Sequence, residues 1–170
     1  MSSSWDTWVS YFRDSVQNMM LNEEQIKESL LKECHTKAAL FCPSSGNPLA
    51  ADQGFDHFKS RDVLRLCNGV AGDQDVFSGL SWGSDPDSPS GYSIIRLVTY
   101  PLNSSVYPDL SANILYGRNK TFPEESIFVC NSLTACVVIL FRLKGANKGL
   151  IHKAMNHFVE AISKAIDLGV

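Results

Sequence analysis

Apolar side chains recur at helical spacing at both ends of the 170-residue chain. The N-terminal stripe predicts a first helix, capped by Ser3 or Ser4, whose apolar positions are Trp5, Trp8, Val9, Phe12, Val16, Met19 and Met20. The C-terminal stripe predicts a long final helix, capped by Asn147, whose apolar positions are Leu150, Ile151, Met155, Phe158, Val159, Ile162 and Ile166. The final helix therefore needs a sheet to lie against.

Apolar runs of strand length lie between these helices, over 37–41, 49–51, 76–80, 92–98, 112–116, 127–131 and 136–143. The last run is apolar at successive positions, which predicts a central strand covered on both faces. The turn-forming residues of 42–48 predict a hairpin between the first two runs, and those of 83–91 predict a loop. Ser60 is expected to cap a short helix that ends at Asn68-Gly69.

Together these elements predict a single α+β domain over residues 1–170, with helices packed on a central antiparallel β-sheet. An extra helical insertion is expected at about residues 20–35. There, Asn22-Glu-Glu-Gln25 is a variant of the capping box and opens a second helix that continues to about Lys32.

The charge of −3 is unevenly distributed along the chain. Residues 1–117 carry 8 basic and 14 acidic side chains, a net −6, whereas residues 118–170 carry 7 and 4, a net +3. Such a difference is usual for a solvated surface, but it also fits a basic face for an acidic protein or an anionic lipid. The acidic total argues against nucleic acid as a partner.

No apolar run approaches the roughly 20 residues of a membrane helix, and the N-terminus lacks the pattern of a secretory signal. We therefore expect a cytoplasmic protein that is not a membrane protein. The five cysteines form no C-x-x-C pair, which predicts reduced thiols. His152 and His157 are five residues apart rather than four, so neither a metal site nor a cofactor is expected.

Two motifs have alternative interpretations. Gly79-Leu-Ser81-Trp-Gly83 matches the nucleophile elbow of hydrolases, but the following loop is rich in Pro and Asp rather than helical, so we expect no enzyme. Trp5 and Trp8 lie one helical turn apart. They fit either a packed core or an aromatic groove for proline-rich segments.

An ordered set of short segments resembles the profilin family over nearly the whole chain. Ser4-Trp5-Asp-Thr-Trp8-Val9 is similar to the opening of many profilins, and 37–41 with 49–51 resembles their first hairpin. Gly79 to Gly83, followed by Tyr92-Ser-Ile-Ile-Arg96, resembles a later hairpin and strand, and Lys144 to Lys153 resembles the segment that leads into the last helix.

The resemblance implies that the N- and C-terminal helices lie side by side on one face of the sheet. It also implies a cytoplasmic, cytoskeletal regulator that binds and sequesters actin monomers without catalysis. Carried over by position, the actin-binding residues would be Phe77, Ile94, Arg96, Arg118, Lys120, Asn147, Gly149, His152, Lys153 and His157.

A groove for proline-rich proteins is implied at Trp5, Trp8, Leu49, Ala161 and Ile162. Leu49, Ala161, Ile162 and Asp167 depart from the residues common in the family, which predicts weak polyproline binding. Phosphoinositide binding is expected to be weak too, because the net −6 of residues 1–117 opposes approach to an anionic membrane.

A different class of function stays open at this point. An interaction scaffold of the longin or roadblock kind has a similar arrangement of sheet and helices, and would use its sheet to dimerise or to bind a GTPase or membrane-traffic partner. Self-association without actin binding would favour that alternative, whereas a pull-down with purified actin would favour the first.

Overall fold

The computed structural model describes residues 4–21, 34–78, 91–144 and 148–170. In chain order their elements are α1 (Ser4–Leu21), β1 (Cys34–Phe41), β2 (Pro48–Ala51), α2 (Ser60–Val70), a 3₁₀ helix (Gln74–Ser78), β3 (Tyr92–Pro101), β4 (Ser111–Asn119), β5 (Glu125–Asn131), β6 (Cys136–Leu143) and α3 (Lys148–Asp167). No described helix has the length and hydropathy needed to cross a membrane.

The six strands form one antiparallel sheet in the order β2-β1-β6-β5-β4-β3. Strand β6 pairs with β1 along its whole length, from Cys136 opposite Phe41 to Leu143 opposite Cys34. All of its residues except Arg142 are buried. This confirms the prediction that the run 136–143 is a central strand with both faces covered.

One face of the sheet is covered by α1 and α3 together, as the resemblance implied. The ring of Phe158 on α3 contacts those of Phe12 on α1 and Phe128 on β5, whose centroids lie 6.3 and 6.4 Å from its own. All seven predicted apolar positions of α3 are buried. The stripe of α1 is correct except at Met19, whose side chain is 45% exposed.

Polar side chains fasten α1 to the first hairpin. Arg13 Nη1 lies 2.7 Å from Asp52 Oδ1, and the other oxygen of that carboxylate accepts the Ala38 N–H. One turn later, the Gln17 side chain donates to the Cys34 carbonyl and accepts the Thr36 hydroxyl. Both contacts join α1 to β1.

The opposite face of the sheet is covered by α2 and the aromatic rings of Phe55 and Phe58. Two expectations about α2 were wrong. The Ser60 hydroxyl does not cap the helix but donates to Asn47 in the first hairpin turn. Gly69 does not end the helix. It lies inside it, where a β-carbon would come 2.7 Å from a methyl group of Val76 and 2.9 Å from one of Leu115.

The predicted strand 76–80 is also wrong over 76–78, because residues 74–78 form the 3₁₀ helix, and 79–80 lie outside the described residues. Local hydrogen bonds favour this turn: Asp73 accepts the Asp75 N–H, and the Ser78 hydroxyl donates to the Asp75 carbonyl. Arg65 also binds Asp75 and Ser78 from α2. The other predicted strands are confirmed, several with longer bounds. The helix at 22–32, the Asn147 cap, Ser81 and most of the loop 83–91 lie outside the described residues.

A β-bulge in β3 decides which side chains reach which face. Ile94 is opposite Gly117, but Arg96 is opposite Tyr116, so the strand has one additional residue at Ile95. An extra residue reverses the alternation of side chains. Ile94 therefore packs towards α2, and Arg96 lies on the face that carries α1 and α3.

Gly117 leaves room for this bulge, and we expect Gly117→Ala to lower the free energy of unfolding by about 1–3 kcal/mol, as overpacking does. A β-carbon there would lie 2.5 Å from the Ser93 carbonyl oxygen, which cannot move without shifting β3. Urea unfolding would measure the change. Ser111→Ala, at an exposed position of the same strand, serves as the control. Equal midpoints for the two variants would contradict this role.

Asp62 predicts a dependence of stability on pH. It is buried in the first turn of α2, and its Oδ2 has no hydrogen-bond partner among the described residues. Burial raises its pKa, although Arg61, Arg65 and Lys59 oppose the shift. Because the pKa of Asp62 is raised in the folded state, its favourable contribution to the free energy of unfolding is complete only below its unfolded pKa, near 3.9. That contribution is lost as the pH rises through the folded-state pKa.

Asp62→Asn should therefore stabilise the protein at pH 7, by about 1 kcal/mol, and the gain should disappear near pH 3. Thermal or urea unfolding at several pH values would measure it. Asp56→Asn, at an exposed position nearby in the sequence, is the matched control. A gain that persists unchanged at acid pH would contradict the explanation.

Candidate functional site

Two arginines share one tyrosine where β3 and β4 run side by side. The Arg118 Nε donates to the Tyr116 hydroxyl at 2.9 Å, and the Arg96 guanidinium lies 5.6 Å from the centroid of the same ring. Tyr116 itself is buried against the core beneath α3. A cation over an aromatic face is attracted by the ring quadrupole. Tyr116 therefore holds both guanidinium groups close to one another.

The start of α3 adjoins this pair through Tyr100 and His152. The Tyr100 hydroxyl lies 3.3 Å from His152 Nδ1, and the two rings are 6.0 Å apart. We call the patch formed by Arg96, Tyr100, Tyr116, Arg118 and His152 the basic surface.

Other residues predicted for actin binding lie nearby in the chain. Lys120 and Gly149 are exposed and Lys153 is half-buried. The Lys120 N–H donates to the Gly91 carbonyl, which fixes the backbone just after Arg118. Lys120 and Lys153 thus add two positive charges close in sequence to Arg118 and His152.

The basic surface differs electrostatically from the sites of Arg13, Arg65 and Arg142, three of the four other arginines of the chain. Arg13, Arg65 and Arg142 each form an ion pair with an aspartate or glutamate. Within the described residues, no carboxylate lies within ion-pair distance of Arg96 or Arg118. Two like charges held together without a counter-charge form a favourable site for an anionic group.

Three of the predicted actin-binding residues lie elsewhere. Ile94 is 4% exposed and packs, with half-buried Phe77, in the core beneath α2, because the bulge turns Ile94 away from Arg96. His157 faces the groove between α1 and α3, which Tyr11 and Met19 also line. It is five residues from His152, so it lies on a different side of the helix. Asn147 is outside the described residues.

An aromatic surface lies on α1. Trp5, Trp8, Tyr11 and Leu49 are half-buried and pack on the core between the sheet and the terminal helices. The Trp8 and Tyr11 rings meet edge to face, with centroids 5.2 Å apart. Each tryptophan therefore packs partly on the core and is partly exposed, and the groove for proline-rich segments stays a prediction.

Ala161 and Ile162 add no exposed side chain to this aromatic surface. They are 2% and 0% exposed, because they belong to the stripe of α3 that faces the sheet. The Ala161 carbonyl instead accepts the Tyr11 hydroxyl at 3.3 Å, which joins α1 to α3. Burial raises the pKa of Tyr11, against a smaller lowering by the hydrogen bond with Ser15.

Asp167, the other departure noted in the sequence, has a local role. Its Oδ1 accepts the Ser104 hydroxyl at 2.5 Å and the Val106 N–H at 3.5 Å, and these hydrogen bonds lower the pKa of the carboxyl. Asp167 therefore fastens the connection between β3 and β4 to the end of α3.

Sequence reasoning missed the three tyrosines of these surfaces. Tyr116 precedes Arg118 by two residues, so both lie on one face of a strand, and this spacing was a usable signal. Tyr11 follows Trp8 by three residues, which is one helical turn. Tyr100 carries no local signal, because its contact with His152 depends on how α3 crosses the sheet.

Comparisons with known proteins locate this architecture among solved structures. The chain is similar to Schizosaccharomyces pombe profilin, with 14% identity, a TM-score of 0.55, and coverage of 93% of this chain and 98% of that one. It is likewise similar to Acanthamoeba castellanii profilin II and profilin IB, each with 14% identity and coverage of 96% and 99%, with TM-scores of 0.56 and 0.57. No protein-family model and no curated protein sequence matches the chain.

The agreement extends over nearly the full length of both chains, and it includes the two features that the sequence resemblance implied: a central antiparallel sheet, and terminal helices side by side on one face. The fold of this chain is therefore a profilin-like fold, in a sequence that is 14% identical to each of these three profilins.

Proposed function

We propose that this protein binds actin monomers through the basic surface and regulates actin polymerisation without catalysis. The observation that carries the proposal is the pair Arg96 and Arg118, held on Tyr116 beside the start of α3. The sequence resemblance to profilins predicts actin contacts at both arginines and at His152. The profilin fold supports the same assignment.

The chemistry of the surface suits an acidic protein partner. Arginine and tyrosine are enriched among the residues that dominate binding energy, and the planar guanidinium pairs with a carboxylate through two hydrogen bonds. Because Tyr116 already restricts both side chains, less conformational entropy is lost when a partner binds. The +3 of residues 118–170 would also accelerate association with an acidic surface at low salt.

In this proposal the bound protein covers one end of the actin monomer and so restricts which filament end the monomer can join. Such binding would place the protein in the cytoplasm, with the cytoskeleton. Proline-rich segments are proposed to bind only weakly, at the exposed parts of Trp5, Trp8 and Tyr11. Phosphoinositide binding is proposed to be weak as well, for the charge reason given above.

Reversing the charge of Arg118 or Lys153 should weaken actin binding by roughly 2 kcal/mol, about a thirty-fold rise in Kd. Each substitution removes a cation from the proposed interface and adds a charge that an acidic partner repels. Calorimetric titration of Arg118→Glu and Lys153→Glu with actin monomers would measure the change.

The matched control is Lys59→Glu, which makes the same charge change at an exposed position before α2, on the other side of the sheet. We expect its Kd to stay within about two-fold of the unmodified protein, the usual range for a charge remote from an interface. If all three variants bind equally well with their folds intact, the basic surface is not the actin site.

A proline decamer should bind the unmodified protein weakly, with Kd above about 1 mM. Leu49 supplies no hydrogen-bond donor at the aromatic surface, so carbonyl groups of the peptide there would lose water without replacement, which costs about 1–3 kcal/mol each. Leu49→Trp adds an indole N–H beside Trp5 and Trp8 and should tighten binding.

Tryptophan fluorescence would follow both titrations, and Leu49→Phe is the control, since it adds a ring without a donor. Saturable binding of the decamer at low micromolar concentration by the unmodified protein would show that other contacts form the groove. Equal effects of Leu49→Trp and Leu49→Phe would show that the donor is unimportant.

A further inference from the structure

Two buried thiols meet between α2 and β6, on the opposite face of the sheet from the basic surface. Cys67 lies in the second half of α2, and Cys136 begins β6. Their side chains are 6% and 0% exposed, and both belong to the core beneath α2. All five cysteines of the chain are free, but these two are hydrogen-bonded to each other. Two sulfur atoms from distant parts of the sequence are therefore already in contact.

The first hairpin holds α2 in the position that brings the two sulfurs together. The Ser60 hydroxyl at the start of α2 donates to Asn47 in the hairpin turn at 2.7 Å. Cys67 follows Ser60 by seven residues, about two helical turns, so both side chains lie on the same side of α2. Cys136 is opposite Phe41, the last residue of β1 before that turn. The contacts that dock α2 on the sheet thus also position the thiol pair.

Their contact makes the two thiols chemically unequal. The hydrogen bond from Cys136 lowers the pKa of Cys67, although burial opposes that shift. The same hydrogen bond, together with burial, raises the pKa of Cys136. The thiolate form of cysteine is the one that attacks an oxidant. Cys67, which is also the more exposed of the two, is therefore the nucleophile of the pair, and Cys136 is the thiol beside it that can resolve the product.

The other three thiols each contact an oxygen atom instead. Cys34 Sγ lies 3.8 Å from Gln17 Oε1, Cys130 Sγ lies 3.6 Å from the Asn131 carbonyl oxygen, and Cys42 Sγ lies 3.1 Å from Ser44 Oγ. Cys42 is half-buried, and hydrogen bonds with Ser44 and Ser45 lower its pKa to about 6. An oxidant therefore reaches Cys42 as well, and an experiment on the pair has to separate the two reactions.

We propose that Cys67 and Cys136 form an oxidation site that takes hydrogen peroxide and becomes a disulfide between α2 and β6. The Cys67 thiolate attacks one peroxide oxygen and the O–O bond breaks. The hydroxide that leaves takes up the proton that Cys67 released on ionisation, and Cys67 becomes a sulfenic acid. The Cys136 sulfur then attacks the Cys67 sulfur, the S–O bond breaks, and the hydroxide leaves as water with the Cys136 proton. The two thiols lose two electrons, and one peroxide is reduced to two water molecules.

The disulfide would close the chain from residue 67 to residue 136. Crosslinks that close long loops restrict the unfolded chain most. Oxidation should therefore raise the temperature of unfolding, and reduction with dithiothreitol should restore the original value. The site is independent of the proposed actin function, because it lies beneath α2 and shares no residue with the basic surface.

The test is mass-spectrometric peptide mapping of the folded protein after treatment with hydrogen peroxide, with free thiols alkylated before digestion. We expect a crosslinked pair of peptides that contain Cys67 and Cys136. Cys42→Ser should form the same crosslink, and so should Cys130→Ala, the matched control, which removes a buried thiol on the other face of the sheet. Cys67→Ala should form none. Oxidation should raise the unfolding temperature of the unmodified protein by about 5 °C or more, and that of Cys67→Ala not at all.

The map of the unmodified protein decides the outcome even if a variant fails to fold. The proposal is overturned if Cys67 and Cys136 are both still alkylated after peroxide treatment, or if the only crosslinks pass through Cys42. Sulfinic acid at Cys67 without a crosslink would overturn it as well, because it would show that Cys136 does not resolve the sulfenic acid. None of these measurements uses actin, so failure here and failure of the proposed actin binding are separate results.

Discussion

Strand β6 is apolar on both faces, and the rest of the fold follows from the need to cover it. A single layer of helices would leave one face of β6 in water, so the sheet requires two covers. The long stripes of α1 and α3 supply one, and α2 with the phenylalanines beside it supplies the other. Fully burying an aromatic or aliphatic side chain contributes about 1.5–3 kcal/mol, and β6 alone has seven buried positions. The two covers are therefore the main source of stability.

These two covers also determine where polar chemistry is left. On the side of α1 and α3, the strands β3 and β4 carry Tyr116 and its two arginines next to the first turn of α3. On the side of α2, the start of β1 and the end of β6 carry His35, Lys37 and Arg142 around a cavity. Cationic groups thus face opposite directions.

Much of the fold could be predicted from sequence because it depends on periodic patterns. The stripes of α1 and α3, the strand β6 and the hairpin turn before β2 all follow from local residue spacing. The errors arose where tertiary contacts decide the outcome. Val76 lies in a 3₁₀ helix because Arg65 on α2 and the side chains of Asp73 and Ser78 form hydrogen bonds with the residues around it. Gly69 lies inside α2 because Leu115 and Val76 leave no room for a side chain.

The candidate site was predictable only in part for the same reason. Arg96 and Arg118 were identified, but simple alternation grouped Ile94 with Arg96, and one bulged residue separates them onto opposite faces. Ala161 and Ile162 were assigned to the groove for proline-rich segments by their place in the chain. Both are buried, because they lie in the apolar stripe of α3 that faces the sheet. Tyr100 acts through a contact with His152, on an element that is distant in sequence, which no local pattern reveals.

The account depends most on whether an actin monomer covers the basic surface. Amide hydrogen exchange of the protein, alone and with a saturating excess of actin monomers, tests this directly, because it reports which backbone segments the partner protects. We predict slower exchange at residues 96–100, 116–120 and 149–153, and unchanged exchange in α2 and at residues 35–37. No change on addition of actin, or protection confined to α2 and β1, would contradict it.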